Sequence, residues 1–132
     1  MNNENTQKLF DRFKFFHHEL LRLEKGHLVR HGFTCGDGWF NLIWKLSMDI
    51  EKIAPPAFEV TQVKEKLGTL RYYAYNPTNN IHIRKLIHKA ERKSAHTCEL
   101  CGSTKKIKCR TLKHRRLKTL CNKCYAIAIL EE

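Results

Sequence analysis

Two cysteine doublets near the C-terminal end, Cys98-x2-Cys101 and Cys121-x2-Cys124 with nineteen residues between them, constrain this chain more than any other feature. Two intervening residues let both thiolates of a doublet reach one ion across a tight turn. Gly102, directly after the first doublet, supplies the backbone freedom such a turn needs. The pattern falls within the range of four-thiolate zinc sites, so one structural Zn2+ is expected on Cys98, Cys101, Cys121 and Cys124. Its binding would supply on the order of 10 kcal/mol to a segment too small to fold alone. The second doublet runs into Tyr125-Ala126-Ile127-Ala128-Ile129-Leu130, which reads as a short helix. A knuckle, a strand pair and a helix carrying the second doublet in its first turn make a treble clef. A zinc ribbon, with both doublets on knuckles, is the alternative. Cys109 and His114 lie between the doublets and are candidate substitute ligands, although Cys109 has no partner two residues away. His27, His31 and Cys35 recur every four residues, but Gly32 interrupts any helix there, and Cys35 reads as a half-buried free thiol.

The charge is as unevenly placed as the cysteines. The 132 residues carry a net +12. Residues 1–79 hold 11 Lys/Arg against 9 Asp/Glu, whereas residues 80–125 hold 14 against 2. Eight cations (Lys105, Lys106, Lys108, Arg110, Lys113, Arg115, Arg116 and Lys118) follow one another with no acid among them. Arg84, Lys85, Lys89, Arg92 and Lys93 precede them. A solvated face normally mixes both signs, and cations so concentrated repel one another unless an anionic partner relieves them. Nucleic-acid phosphates are the commonest such partner. The expected contact residues are the eight cations together with Arg92 and Lys93, on DNA or RNA.

Upstream, the hydrophobic period changes along the chain. Leu9, Phe13, Phe16, Leu20 and Leu23 predict an amphipathic helix over 5–25, stopped by Gly26. Asp37 is a candidate N-cap for a second helix over 38–53, its inward face formed by Phe40, Ile43, Leu46, Ile50 and Ile53, with Pro55-Pro56 barring continuation. Residues 58–75 alternate instead and read as two strands joined around Leu67-Gly68. In that hairpin Phe58, Val60 and Gln62 alternate with Glu59, Thr61 and Val63, and Leu70, Tyr72 and Ala74 face inward. Arg71, Tyr73 and Tyr75 face out; such a row could stack unpaired bases, but the commoner role for such tyrosines is to cover an adjacent helix. Asn79 or Asn80 can cap a third helix over 80–95 whose shared face holds Ile83, Leu86, Ile87, Ala90 and Ser94. The expectation is an α+β domain over 1–95 with a basic zinc module over 96–132 packed on it.

Catalytic signals are sparse, and the chain is expected not to be an enzyme. His17-His18-Glu19 contains an H-x-E triplet, which zinc deaminases combine with a Pro-Cys-x-x-Cys. Here Thr97 precedes Cys98, and four cysteines would close the coordination sphere. A His-Asn-His nuclease needs a catalytic histidine and a second metal-binding group, and His114 stands without an acidic neighbour. No apolar run approaches the roughly 18 residues of a membrane span, and the first residues, Met1-Asn2-Asn3-Glu4-Asn5, lack the apolar core of a secretory signal. A cytoplasmic, reduced setting with no membrane partner and no small-molecule substrate is expected.

Gly36-Asp37-Gly38-Trp39, then Gln62-Val63-Lys64-Glu65-Lys66-Leu67-Gly68-Thr69-Leu70-Arg71-Tyr72, then Thr97-Cys98-Glu99-Leu100-Cys101-Gly102 and Thr119-Leu120-Cys121 together resemble a functionally unassigned group of small proteins from bacteria and their phages or prophages. The resemblance spans roughly residues 36–125, and relatives often place His where this chain has Cys124. It implies a mobile-element context and supplies no activity. In that context a second partner class is an acidic or nucleic-acid-binding host protein, for instance in a defence complex, bound by a phage or prophage inhibitor through the same cations.

Overall fold

The structure is a computed structural model that describes residues 1–17 and 27–132. It is α+β, with helices α1 (Asn3–Arg12), α2 (His27–His31), α3 (Phe40–Glu51), α4 (Ile81–Ser94) and α5 (Asn122–Leu130). Two antiparallel hairpins complete it, β1 (Glu59–Lys66) with β2 (Thr69–Tyr75), and β3 (Lys108–Thr111) with β4 (Leu117–Leu120).

The first helix is shorter than its periodicity suggests. Asn2 caps α1 by accepting the Asn5 N–H, and the helix stops at Arg12 because Phe13 turns to an extended φ of −117°. A 3-10 turn over Lys14–Phe16 follows. Leu9, Phe13 and Phe16 are fully buried as their spacing predicts, but the break also lets Phe15 lie against Phe13 and Phe58. Leu20, Leu23 and Gly26 lie outside the described residues.

Asp37 does not cap α3. It opens a 3-10 turn, Asp37–Trp39, that feeds the helix, and its carboxylate instead accepts from the Asn2 N–H and the Asn5 side-chain amide. α3 ends at Glu51, before the prolines, which leaves Ile53 exposed and not on the inward face. At α4, Asn80 is the cap, accepting from the N–H groups of His82 and Ile83.

Leu67 and Gly68 form the turn of the first hairpin with φ of 55° and 86°, the paired positive values of a two-residue turn matching strand twist. The register slips between Val60 and Gln62, and this bulge brings Val63 to the buried side with Phe58 and Val60. Both outer edges are occupied. Thr34 bridges β1 through hydrogen bonds with Val63 and Glu65. On β2, the N–H groups of Leu70 and Tyr72 donate to Ser94 Oγ and a Glu91 carboxylate oxygen of α4. The main core collects on the inner side, around Trp39, Phe13, Phe16, Ile43, Ile50, Leu70 and Ile83. Within it Tyr72 and Ser47 join their hydroxyls at 3.0 Å. A second, smaller cluster forms about Cys98, Leu120, Cys121 and Cys124, with Ile107, Tyr125 and Ala128 against it.

A candidate metal centre and its basic surround

The four cysteines of the doublets converge. Their sulfurs all lie within 4.8 Å of one another, and Cys101 Sγ stands 3.7 Å from Cys121 Sγ. Among the described residues this is the group able to hold a metal ion. Cys98 is fully buried, Cys121 and Cys124 nearly so, and Cys101 is open to solvent.

Local backbone sets each sulfur. After Cys98 the chain folds into a knuckle closed by Gly102 N–H to Cys98 O at 2.9 Å and Cys98 N–H to Ser103 O at 2.8 Å. Gly102 sits at a φ of 80°, the left-handed region that glycine enters without strain. Cys121 is the N-cap of α5, and its sulfur accepts the Cys124 N–H at 3.4 Å. That bond holds the Cys121 thiol down to about 7, while burial pushes the Cys124 thiol up. Knuckle, hairpin and helix therefore occur in treble-clef order, with the second doublet at the helix start rather than on a second knuckle.

Neither substitute ligand joins the group. Cys109 is exposed on β3, and its sulfur lies by the tip of the first hairpin, 2.9 Å from where a Gly68 side chain would begin. His114 is exposed in a turn at a φ of 58°. The His27 and His31 rings approach to 4.7 Å, but they do not form a metal-holding group with Cys35. Burial and the nearby Glu99 carboxylate push the Cys35 thiol up to about 12.

One functional neighbourhood is invisible in the spacing. The Gly36–Trp39 turn lies directly on the knuckle. Gly36 N–H donates to Glu99 Oε2 at 3.0 Å, Gly38 N–H to Glu99 O at 2.7 Å, and Trp39 Nε1 to Thr97 O at 2.9 Å. Glu99 is 1% exposed. Its carboxylate also receives Lys118 Nζ at 3.0 Å, and Lys118 reaches Glu65 at 3.3 Å. Burial works against the Lys118 ammonium, but Glu99 and Glu65 outweigh it and hold its pKa above the ordinary value. Thr119 completes the seam by donating its hydroxyl to Gly68 O.

The predicted contact cations thus divide into two sets. Lys118 is drawn inward as an ion-pair partner. Arg110 is half-buried, stacked over Tyr125 at 4.6 Å and bonded to Asn122. Lys113 Nζ donates to the Glu132 carbonyl. Lys105, Lys106, Lys108, Arg115 and Arg116, with Arg92 and Lys93 on α4, are exposed and form no ion pair among the described residues. Tyr73 and Tyr75 are 40% and 46% exposed and are not among the core residues; Tyr73 lies beside α4, on a hollow it shares with Arg84 and His88.

Compared with protein-family models, curated proteins and solved structures, the chain finds no match. Among the described residues no helix is long and apolar enough to cross a membrane.

Proposed function

We propose that this chain is a non-catalytic nucleic-acid-binding protein whose basic C-terminal face is held in shape by one zinc ion. The sulfur cluster carries the metal half of the reading. Four thiolates around zinc at about 2.3 Å sit tetrahedrally about 3.8 Å apart, and the 3.7 Å between Cys101 and Cys121 already matches that edge. Such a set is closed, leaving no position for a metal-bound water, which suits a structural ion. Elemental analysis of purified protein is expected to give about one zinc per chain. Protein prepared without chelator and nearly free of zinc would refute the assignment.

The polyanion half rests on the exposed cations of the second hairpin and its turn, from Lys105 to Arg116, with no carboxylate side chain in that stretch. Phosphates supply the missing counter-charge, and the resemblance of residues 36–125 to phage and prophage proteins supports a mobile-element setting for such binding. Titration of a fluorescein-labelled duplex and a labelled single strand at low salt tests it. Absence of binding to both would end this reading. A host-protein partner is the second reading, favoured by the exposed apolar side chains Ile127, Ile129 and Leu130 around the end of α5. Recovery of a defined complex that survives nuclease treatment would favour it.

A further inference from the structure

The groove between β2 and α4 is a separate basic feature, outside the cysteine module. It encloses about 530 Å3 where Arg71, Tyr73, Arg84, His88 and Glu91 line it. A second hollow continues it past Arg71, His88 and Glu91 to Arg92. Three arginines and a histidine thus face one carboxylate, and Glu91 already accepts the Tyr72 N–H at 3.1 Å.

Arg71 is held in place by neutral acceptors. Its Nη1 donates to Thr69 Oγ1 at 2.7 Å and to Leu70 O at 3.4 Å, and no carboxylate lies within ion-pair distance of it among the described residues. Arg84 and Arg92, two helical turns apart on one ridge of α4, are exposed and likewise unpaired there. A guanidinium fixed without a counter-charge and flanked by two more is suited to phosphate oxygens. Tyr73 adds an aromatic ring on the same groove, 40% exposed and without a ring partner among the described residues.

We propose that this groove binds single-stranded nucleic acid, with the backbone phosphates along Arg71, Arg84 and Arg92 and an unpaired base on the Tyr73 ring. Duplex is the poorer ligand, because its bases are already stacked on one another and cannot reach Tyr73. The inference shares its ligand chemistry with the function proposed above but uses different residues, so each can fail without the other. An acidic peptide without aromatic side chains would use the arginines alone and leave the Tyr73 ring unstacked.

The test uses the full chain with fluorescein-labelled 12-nucleotide oligothymidylate and oligouridylate, and a labelled duplex of the same length. Tyr73→Ala is expected to weaken the single strands at least about fivefold, the lower end for loss of one stacked base, and Tyr73→Phe to keep the affinity. Arg84→Gln/Arg92→Gln alters only exposed side chains, so it keeps the test open if Tyr73→Ala melts early. It should flatten the single-strand salt slope by roughly 1.4, about 0.7 for each phosphate no longer neutralised. Duplex binding should stay unchanged in all of these variants. Unchanged single-strand affinity in the folded variants, or equal losses on duplex, would overturn the groove proposal. Lys113→Gln/Arg115→Gln/Arg116→Gln separates the two readings. If it alone weakens binding, the groove assignment is wrong; if only the groove variants do, the C-terminal face is.

Discussion

Gly38 donates its backbone N–H to the Glu99 carbonyl across 2.7 Å, and this bond ties the turn before α3 to the knuckle that carries Cys98 and Cys101. Backbone meets backbone so closely that a side chain has no room. A Cβ on Gly38 would lie 2.2 Å from Cys98 O, and one on Gly36 would lie 2.3 Å from Glu99 O. The glycines therefore serve contact between the two hydrophobic clusters.

Gly38→Ala accordingly collides with main-chain atoms that cannot swing aside. Overpacking costs about 1–3 kcal/mol, and the rigid neighbours put this substitution at the upper end. The knuckle can relieve the clash only by moving Cys98, so zinc should also be lost faster to a chelator. Urea unfolding and the rate of zinc release measure the two effects. A variant with wild-type values of both would show that the contact is loose.

Lys118 is expected to behave as a structural residue despite its place in the cation run. Lys118→Met leaves Glu99, 1% exposed, and the partly buried Glu65 without their shared ammonium. Breaking a fully buried pair costs about 3–5 kcal/mol; the loss here should fall at or just below the lower end, because Lys118 is 25% exposed and Glu99 keeps the Gly36 N–H. Adding Glu99→Gln should recover part of it by removing the charge. The folded-state pKa of Lys118 is raised above 10.5, so its contribution is complete at neutral pH and fades only as pH climbs through that raised value. The stability gap between wild type and Lys118→Met should therefore be flat from pH 6 to 9, and nucleic-acid affinity per folded molecule should not change.

How much of the fold and of the site is legible in the sequence depends on the range of the interactions. The two doublets announce themselves because ligand spacing is local, and Leu67-Gly68 does so because turn chemistry is local. Period alone places Leu9, Phe13 and Phe16 in the core, but it does not show the end of the helix at Arg12. The break is accompanied by packing of Phe15 on Phe13 and on Phe58, and Phe58 is a neighbour that no helical wheel contains. The bulge beyond Val60 inverted the second half of the β1 alternation for a similar reason. Glu99 and Lys118 look in sequence like ordinary surface charges, since nothing local says that the Gly36–Trp39 turn will lie on Glu99 or that Lys118 will pair with Glu99 and Glu65. The groove under Tyr73 was half visible, as an outward Arg71-Tyr73-Tyr75 row, but its other wall is α4, whose placement is tertiary.

The six thiols should separate by reactivity. At pH 8 a maleimide is expected to modify Cys109 in zinc-loaded protein, because it is exposed and outside the metal group. Chelation should expose Cys101 first, the open member of the four. Cys35, buried and with its thiol pushed up to about 12, should react only on unfolding, since protonated thiols are poor nucleophiles. Mass spectrometry of the labelled peptides reads this order directly. Early modification of Cys35 in folded protein would contradict its burial.

The remaining prediction concerns how affinity depends on salt at the C-terminal face. If about four to six phosphates of a duplex are neutralised, log affinity should fall against log salt with a slope of roughly −4 to −5. Lys113, Arg115 and Arg116 stand exposed in and beside the turn between β3 and β4, outside the sulfur cluster and the Glu99 seam. Among the described residues the bond of the Lys113 ammonium is an exposed one to the Glu132 carbonyl. Replacing all three with glutamine should flatten the slope by about 2 to 3 units and leave zinc content and melting temperature unchanged. The loss should be similar on unrelated sequences, because phosphate contacts set register and carry no base identity. Lys118→Met is the internal control, since that cation is spent on carboxylates and should leave the slope where it was. A steep slope that survives the triple substitution would move the phosphate contacts elsewhere, with the arginines of α4 the next surface to test.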